Sequence, residues 1–214
     1  MANIINYVIP LGSQCFSAYY LKENELKLTS YPFDWIFSNP IVIFQILNDQ
    51  FKEFLNKNNY VIQNTESDTN SHTLYVPDLS MFNHRNPMRV DDYLYYIRCV
   101  NRFYEVLKKN GKKLFFMTSL NNQISNELEN LMYLKCKLHE ICDDYIFVCF
   151  FQKSAGIQSR EIFQDGNMII VQLFTFEDAD GVVFKNDNDT HFFKSIMDEL
   201  FDFQLVKMND VGES

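Results

Sequence analysis

The chain has 214 residues, 47% of them hydrophobic, which is enough for one sizeable core and sets the expectation of a single domain over residues 1–214. With 28 acidic against 19 basic side chains the formal charge is -9, so phosphate backbones and anionic bilayers are repelled over most of the surface, and neither nucleic acid nor membrane is expected as a partner. Five irregularly spaced cysteines without a Cys-x-x-Cys, and four scattered histidines, supply neither a disulfide framework nor a zinc site, and no metal or cofactor is expected.

The N-terminus has no basic residue ahead of its short apolar run and does not read as a signal peptide. No apolar run approaches the roughly 18 residues of a membrane span, so the expected compartment is the cytoplasm. Tyr7-Val-Ile-Pro-Leu11 reads as a buried strand ending in a Gly12-Ser13 turn. A helix is predicted from Gln14 to about Leu26, with Ser13 as its N-cap. After the aromatic, irregular stretch from Thr29 to Ser38, Asn39-Pro40 opens a second helix that Phe51 to Leu55 could continue.

Tyr60-Val-Ile and Thr73-Leu-Tyr-Val are short strand candidates, paired as a hairpin. Apolar residues from Val90 to Leu107 recur at three and four positions and predict an amphipathic helix, as do those from Ile124 to Ile141. Lys113 to Thr118, Tyr145 to Phe151 and Met168 to Phe174 are apolar without alternation, as in strands covered on both faces. Thr190 to Leu200 is the last predicted helix. Such alternation implies a three-layer α/β fold: a mostly parallel sheet flanked by helices, Rossmann-like or SGNH-like. The strands near Tyr7, Leu114, Tyr145 and Met168 should then be neighbours in one sheet. Cys99, Cys136 and Cys149 lie in apolar runs and read as buried packing residues.

Ligands of open α/β sheets bind beyond the carboxyl ends of the strands, which points to Leu11-Gly-Ser-Gln-Cys15. Ser13, Gln14 and Cys15 fall at a helix N-terminus, where the dipole and free N–H groups favour negative charge. A cysteine there should lose its proton more readily, and nearby donors, Gln14 among them, could hold an oxyanion. Alternatively, Cys15 packs a helix start and Ser13 is only a cap. His84, in Phe82-Asn-His-Arg-Asn-Pro87, could be a general base or a surface residue. Arg98 and Arg102, one helical turn apart, could bind a carboxylate or phosphate, or pair with nearby acids. Asp34, between Phe33 and Trp35, needs a partner: it could orient His84 as a triad's third member, pair with an arginine, or cap the next helix. Trp35 would wall the pocket.

Taken together, Leu11-Gly-Ser-Gln-Cys-Phe-Ser-Ala-Tyr-Tyr-Leu-Lys, Tyr-Pro-Phe-Asp-Trp-Ile-Phe-Ser38, Phe-Asn-His84 and the stretch from Arg98 to Phe103 resemble a family of unknown function labelled papain-like cysteine peptidases, over roughly residues 5 to 120. The resemblance implies Cys15 as nucleophile and His84 as base, and it brings a papain-like α+β fold in as an alternative. Gly12-Ser-Gln-Cys-Phe is also similar to the Gly-Ser-Cys-Phe-Ala start of a family grouped with the SGNH hydrolases, in which Ser13 would be the nucleophile. That family's C-terminal Asp-x-x-His is replaced here by Asn188 and His191.

Three functions follow as expectations. One is a thiol hydrolase acting on an amide, isopeptide or thioester bond, with Cys15, His84 and Asp34 catalytic and Ser13, Gln14, Trp35, Arg98 and Arg102 around the substrate. The second is a serine esterase using Ser13 on an acylated sugar or lipid. The third is an inert anion-binding domain. The expected partner is a peptide or small acylated substrate, with the arginines suited to an anionic group on it.

Overall fold

The computed structural model describes residues 2–75, 80–122 and 124–208. In chain order its elements are β1 (Asn3–Ile5), β2 (Tyr7–Pro10), α1 (Cys15–Glu23), α2 (Pro40–Asn48), β3 (Tyr60–Asn64), β4 (Thr69–His72), α3 (Val90–Leu107), β5 (Lys113–Ser119), α4 (Leu128–Ile141), β6 (Tyr145–Ser154), β7 (Ser159–Asp165), β8 (Met168–Thr175), α5 (Asp187–Leu200) and β9 (Phe201–Phe203). The continuous apolar runs form the body of a five-stranded sheet of order β2-β5-β6-β8-β7. Its first four strands are parallel, and β7 runs antiparallel to β8 at the edge. The four strands expected to be neighbours are neighbours, and the α/β architecture with a mostly parallel sheet between helices is borne out.

Side chains of the central strands alternate between two cores, as a pleated strand requires. On β5, Leu114 and Phe116 face one cluster while Phe115 and Met117 face the other; on β6, Ile146, Val148 and Phe150 oppose Phe147, Cys149 and Phe151. The first cluster is closed by Phe16 and Tyr20 of α1 and Phe193 and Met197 of α5, the second by residues of α2, α3 and α4. Both faces are apolar because both are covered, which is why these strands show no polar alternation.

Several details depart from the sequence reading. α2 stops at Asn48 because Gln50 and Phe51 take φ of 59° and 63°, so Phe51 to Leu55 is a turn rather than more helix. The hairpin partner of β3 is Thr69–His72, not the more apolar Thr73-Leu-Tyr stretch, which turns away; Val76 lies outside the described residues. The helix expected from Ile124 begins as a short 3-10 turn, Ile124–Asn126, and becomes α-helical at Leu128. α5 starts earlier than expected because the Asn186 side chain caps it by accepting the Asn188 N–H. Cys136 is exposed on α4 rather than buried, whereas Cys99 and Cys149 are buried. Among the described residues no helix is long and apolar enough to cross a membrane.

Candidate active site

The turn after β2 is tightly built. The Leu11 N–H donates to the Phe116 carbonyl at 2.8 Å and holds the strand end against β5. Gly12 then takes φ +74°, and a Cβ there would stand 2.6 Å from Ser38 Oγ, so only glycine fits. Ser13 follows at φ +81°, a conformation that costs a non-glycine residue about 1–3 kcal/mol. Ser38 holds it there: its hydroxyl accepts the Ser13 N–H at 3.0 Å and donates to the Leu11 carbonyl at 3.4 Å, and its own N–H donates to the Ser13 carbonyl at 3.3 Å. The N-cap of α1 is therefore Gln14, not Ser13, and no side chain caps the helix. Ser17 Oγ, bonded to the Gly12 carbonyl and 2.8 Å from Thr118 Oγ1, ties α1 to β5 and leaves Cys15 presented at the helix start.

His84 arrives from a second, smaller framework. Phe82 exchanges backbone hydrogen bonds with Asn70 of β4, and Phe37 N–H donates to the Met81 carbonyl, so this segment is sandwiched between the hairpin and the Ser30–Ser38 stretch. Beyond His84 the loop is pinned from α3 and the hairpin. Asp92 accepts from Arg85 at 2.8 Å and from the Asn86 N–H at 3.0 Å, and Asp68 accepts from the Asn86 amide at 2.7 Å and pairs with Arg89. These contacts place His84 Nε2 3.1 Å from Cys15 Sγ, across 69 residues of chain. Trp35 meets the imidazole edge-on with ring centroids 5.4 Å apart. It sits at φ +59°, unusual for so bulky a residue, and such strain concentrates at functional sites.

The electrostatics differ from the sequence expectation at the sulfur. Cys15 is only 5% exposed, and burial pushes its thiol up, with its own backbone N–H drawing it part of the way back. Desolvation outweighs the helix N-terminus here. Sγ and Nε2 lie within hydrogen-bond distance, with donor and acceptor set by the imidazole tautomer. The imidazole edge is exposed, and among the described residues its Nδ1 has no hydrogen-bond partner.

The other predicted residues are distributed as follows. Asp34 does not orient His84. Its Oδ2 pairs with Lys27 Nζ at 2.5 Å and accepts the Tyr31 N–H at 3.2 Å, deep in the protein. Burial raises the Asp34 carboxyl to about 6, with Lys27 opposing the rise. Arg102 does not reach the Gly12–Cys15 turn: its guanidinium donates to the Ser30 carbonyl at 2.9 Å and to Cys99 Sγ at 3.1 Å. Arg98 is exposed, with no ion-pair partner among the described residues. Ser13 makes no hydrogen bond to His84 among the described residues, and His191 lies exposed on α5. Gln14 precedes Cys15 at the N-cap position of α1.

Two residues matter that sequence reasoning missed. Ser38 clamps the turn, and its only signal was its place at the end of the aromatic motif. Asn83, directly before His84, buries its Oδ1 without a partner, as Gln14 does its Oε1 directly before Cys15. An unpaired buried acceptor costs about 1–3 kcal/mol and asks for a donor.

Neither the curated proteins nor the solved structures contain a match to the chain. Residues 6–84 match the model of a family described as "Putative papain-like cysteine peptidase", in agreement with the motif resemblance; the match takes in both Cys15 and His84, ending on the latter, and shows the chain to be similar to that family over this stretch.

Proposed function

We propose that Cys15 and His84 are the reactive pair of a thiol hydrolase cleaving an amide, isopeptide or thioester bond in a peptide or small acylated substrate. The observation that carries this reading is the 3.1 Å approach of Cys15 Sγ to His84 Nε2, at a helix start beyond a parallel strand. His84 Nε2 takes the thiol proton as the sulfur attacks the substrate carbonyl. The tetrahedral oxygen gathers negative charge at the start of α1, where the helix N-terminus favours it. The Ser13 and Phe16 N–H groups are already donated to Ser38 Oγ and the Gly181 carbonyl, which leaves the Gln14 and Cys15 backbone N–H groups at the helix start to serve as its donors. The imidazolium returns its proton to the departing amine or thiolate, leaving an acyl group on sulfur. Water, deprotonated by the same imidazole, then releases the acid and regenerates the thiol.

Asp34 has no part in this sequence, since it is paired with Lys27 rather than with His84. Trapping the acyl-enzyme tests the reading. A peptidyl vinyl sulfone or an aryl thioester should add one acyl or alkyl mass at Cys15 in the wild type and none in Cys15→Ala. Modification confined to Cys136, the exposed cysteine, would overturn it.

A further inference from the structure

The helical roof over one sheet face stops at α4. Leu131, Leu134 and Leu138 of α4 are buried in that core, while Leu128 and Met132 stand partly exposed on its outer flank. Residues opposite one another in an antiparallel pair share a face. Phe163 lies across from Ile170, and Glu161 and Asp165 across from Gln172 and Met168, so all three project on the α4 side. Between this row and α4 runs an apolar groove of about 620 Å3, floored by Met168 and Ile170, and Phe163 is 51% exposed beside it. The sheet edge decides the form of what can fill the groove. β7 is seven residues long, pairs with β8 in unbroken register, and has no strand on its other side among the described residues. It has neither proline nor bulge, two of the devices that keep an edge from pairing, so alternate N–H and C=O groups point outward without a ladder partner. Charge decides the rest. Asp165 is taken by Lys135 and, on the other face, Arg160 by Glu199, but Glu161 has no ion-pair partner among the described residues.

We propose that the groove and the β7 edge form one docking site for an extended, basic and apolar peptide segment of a partner protein, laid along β7 as an added strand. Its backbone takes up the outward N–H and C=O groups. One large apolar side chain packs against Phe163, Leu128 and Met132, and a lysine or arginine two residues away, on the same face, meets Glu161. Strand addition draws affinity from main-chain hydrogen bonds and specificity from pockets for alternate side chains. A fatty acid would leave the strand edge unpaired and bring a carboxylate to an acidic rim. A second copy would bring another chain of net charge -9 to the same rim. β2 and β7 are opposite edges of the sheet, so the site is separate from Cys15 and does not rest on the hydrolase reading.

The test is fluorescence anisotropy of the full chain with a labelled peptide, Thr-Lys-Val-Phe-Val-Lys-Thr, whose Lys and Phe side chains share a face and whose symmetry serves either strand direction. The parent peptide should bind saturably. Replacing its Phe by Ala should weaken binding by about tenfold or more, as loss of a buried aromatic side chain does. Replacing both Lys by Glu should weaken it by about fivefold, and Glu161→Lys in the protein should reverse that order. Glu161 is exposed, and a reversed preference itself reports a folded variant. Of two peptides N-methylated at alternate residues, the one whose methyl groups face β7 should lose binding and the other should keep it. No saturable binding, equal binding of the Lys and Glu peptides to both proteins, or both N-methylated peptides binding like the parent would each overturn the proposal. So would a dimer, seen by sedimentation without peptide, that Phe163→Glu dissociates, since the edge would then belong to a second copy.

Discussion

Two polar contacts are anchored in the same aromatic stretch, and they contrast at every point. At Cys15–His84 the sulfur is covered but the imidazole edge stands in solvent, and the partners are held by separate frameworks, the turn after β2 and the segment between hairpin and α3. At Lys27–Asp34 both groups are enclosed, with side-chain exposures of 10% and 0%, and both belong to one local turn. The first is suited to pass a proton to a bound molecule. The second fixes the turn that carries Trp35 into contact with His84. A carboxylate set among aromatic neighbours looks like a catalytic orienter in the sequence, yet the nearest cation in the fold claims it.

The largest effect expected is on chemistry. His84→Ala should lower hydrolysis of a thioester or peptide substrate by about 10²–10⁴-fold, the usual contribution of a positioned acid–base group. The urea midpoint should hardly move, because the imidazole is exposed and makes one hydrogen bond among the described residues. Loss of activity in step with loss of stability would break the contrast between the two sites.

Lys27→Met should do the reverse. Removing one partner strands a buried carboxylate and should destabilise the fold by about 3–5 kcal/mol in urea titrations at pH 8. The penalty should shrink at pH 5, where a carboxyl with a value of about 6 takes up its proton. An equal penalty at both pH values would show that Lys27 acts by packing alone.

Asp34→Asn sharpens the same point. The folded-state value of about 6 lies above the roughly 3.9 of a free aspartate, so between these values the folded state binds more protons than the unfolded. The stability this group contributes is therefore present below about pH 4 and lost as pH rises through about 6. The wild-type minus Asp34→Asn difference should fall across that window and be flat above it. Parallel curves would contradict the burial assigned to this carboxyl. Ser38→Ala is the smallest change, expected to cost about 1 kcal/mol for the lost clamp on Ser13 and to slow Cys15 labelling modestly.

The sheet was legible because its four parallel strands are covered on both faces, and a continuous apolar run as short as Tyr145 to Phe151 fits few settings besides a doubly covered strand. Its edges were not. β7, Ser-Arg-Glu-Ile-Phe-Gln-Asp, is exposed along most of its length and reads as loop, and β1 and β9 are three residues each. The hairpin slipped because β4, Thr-Asn-Ser-His, is polar yet largely buried, while the apolar Thr73-Leu-Tyr beside it is a turn.

At the site, Cys15 and His84 could be singled out because a strand end, a helix start and a motif coincided on them. What lay beyond local pattern was partner choice. Asp34 had the same aromatic neighbours in sequence whether it faced His84 or Lys27. The face shared by Arg98 and Arg102 was readable, but not that Arg102 would bend to the Ser30 carbonyl. The thiol's expected downward shift failed for the same kind of reason: a helix start is visible in sequence, and burial of the sulfur is not.

The most direct test of the account is the pH dependence of Cys15 alkylation by iodoacetamide, followed site by site in the wild type and in His84→Ala. Burial holds the thiol up, so its reactivity near neutral pH depends on the imidazole that accepts its proton. The expectation is that the wild type alkylates measurably at neutral pH with the imidazole taking the proton, and that His84→Ala slows this and moves an already raised midpoint further upward. Superimposable profiles in the two proteins would contradict it, leaving Cys15 a packing residue with a histidine beside it by coincidence.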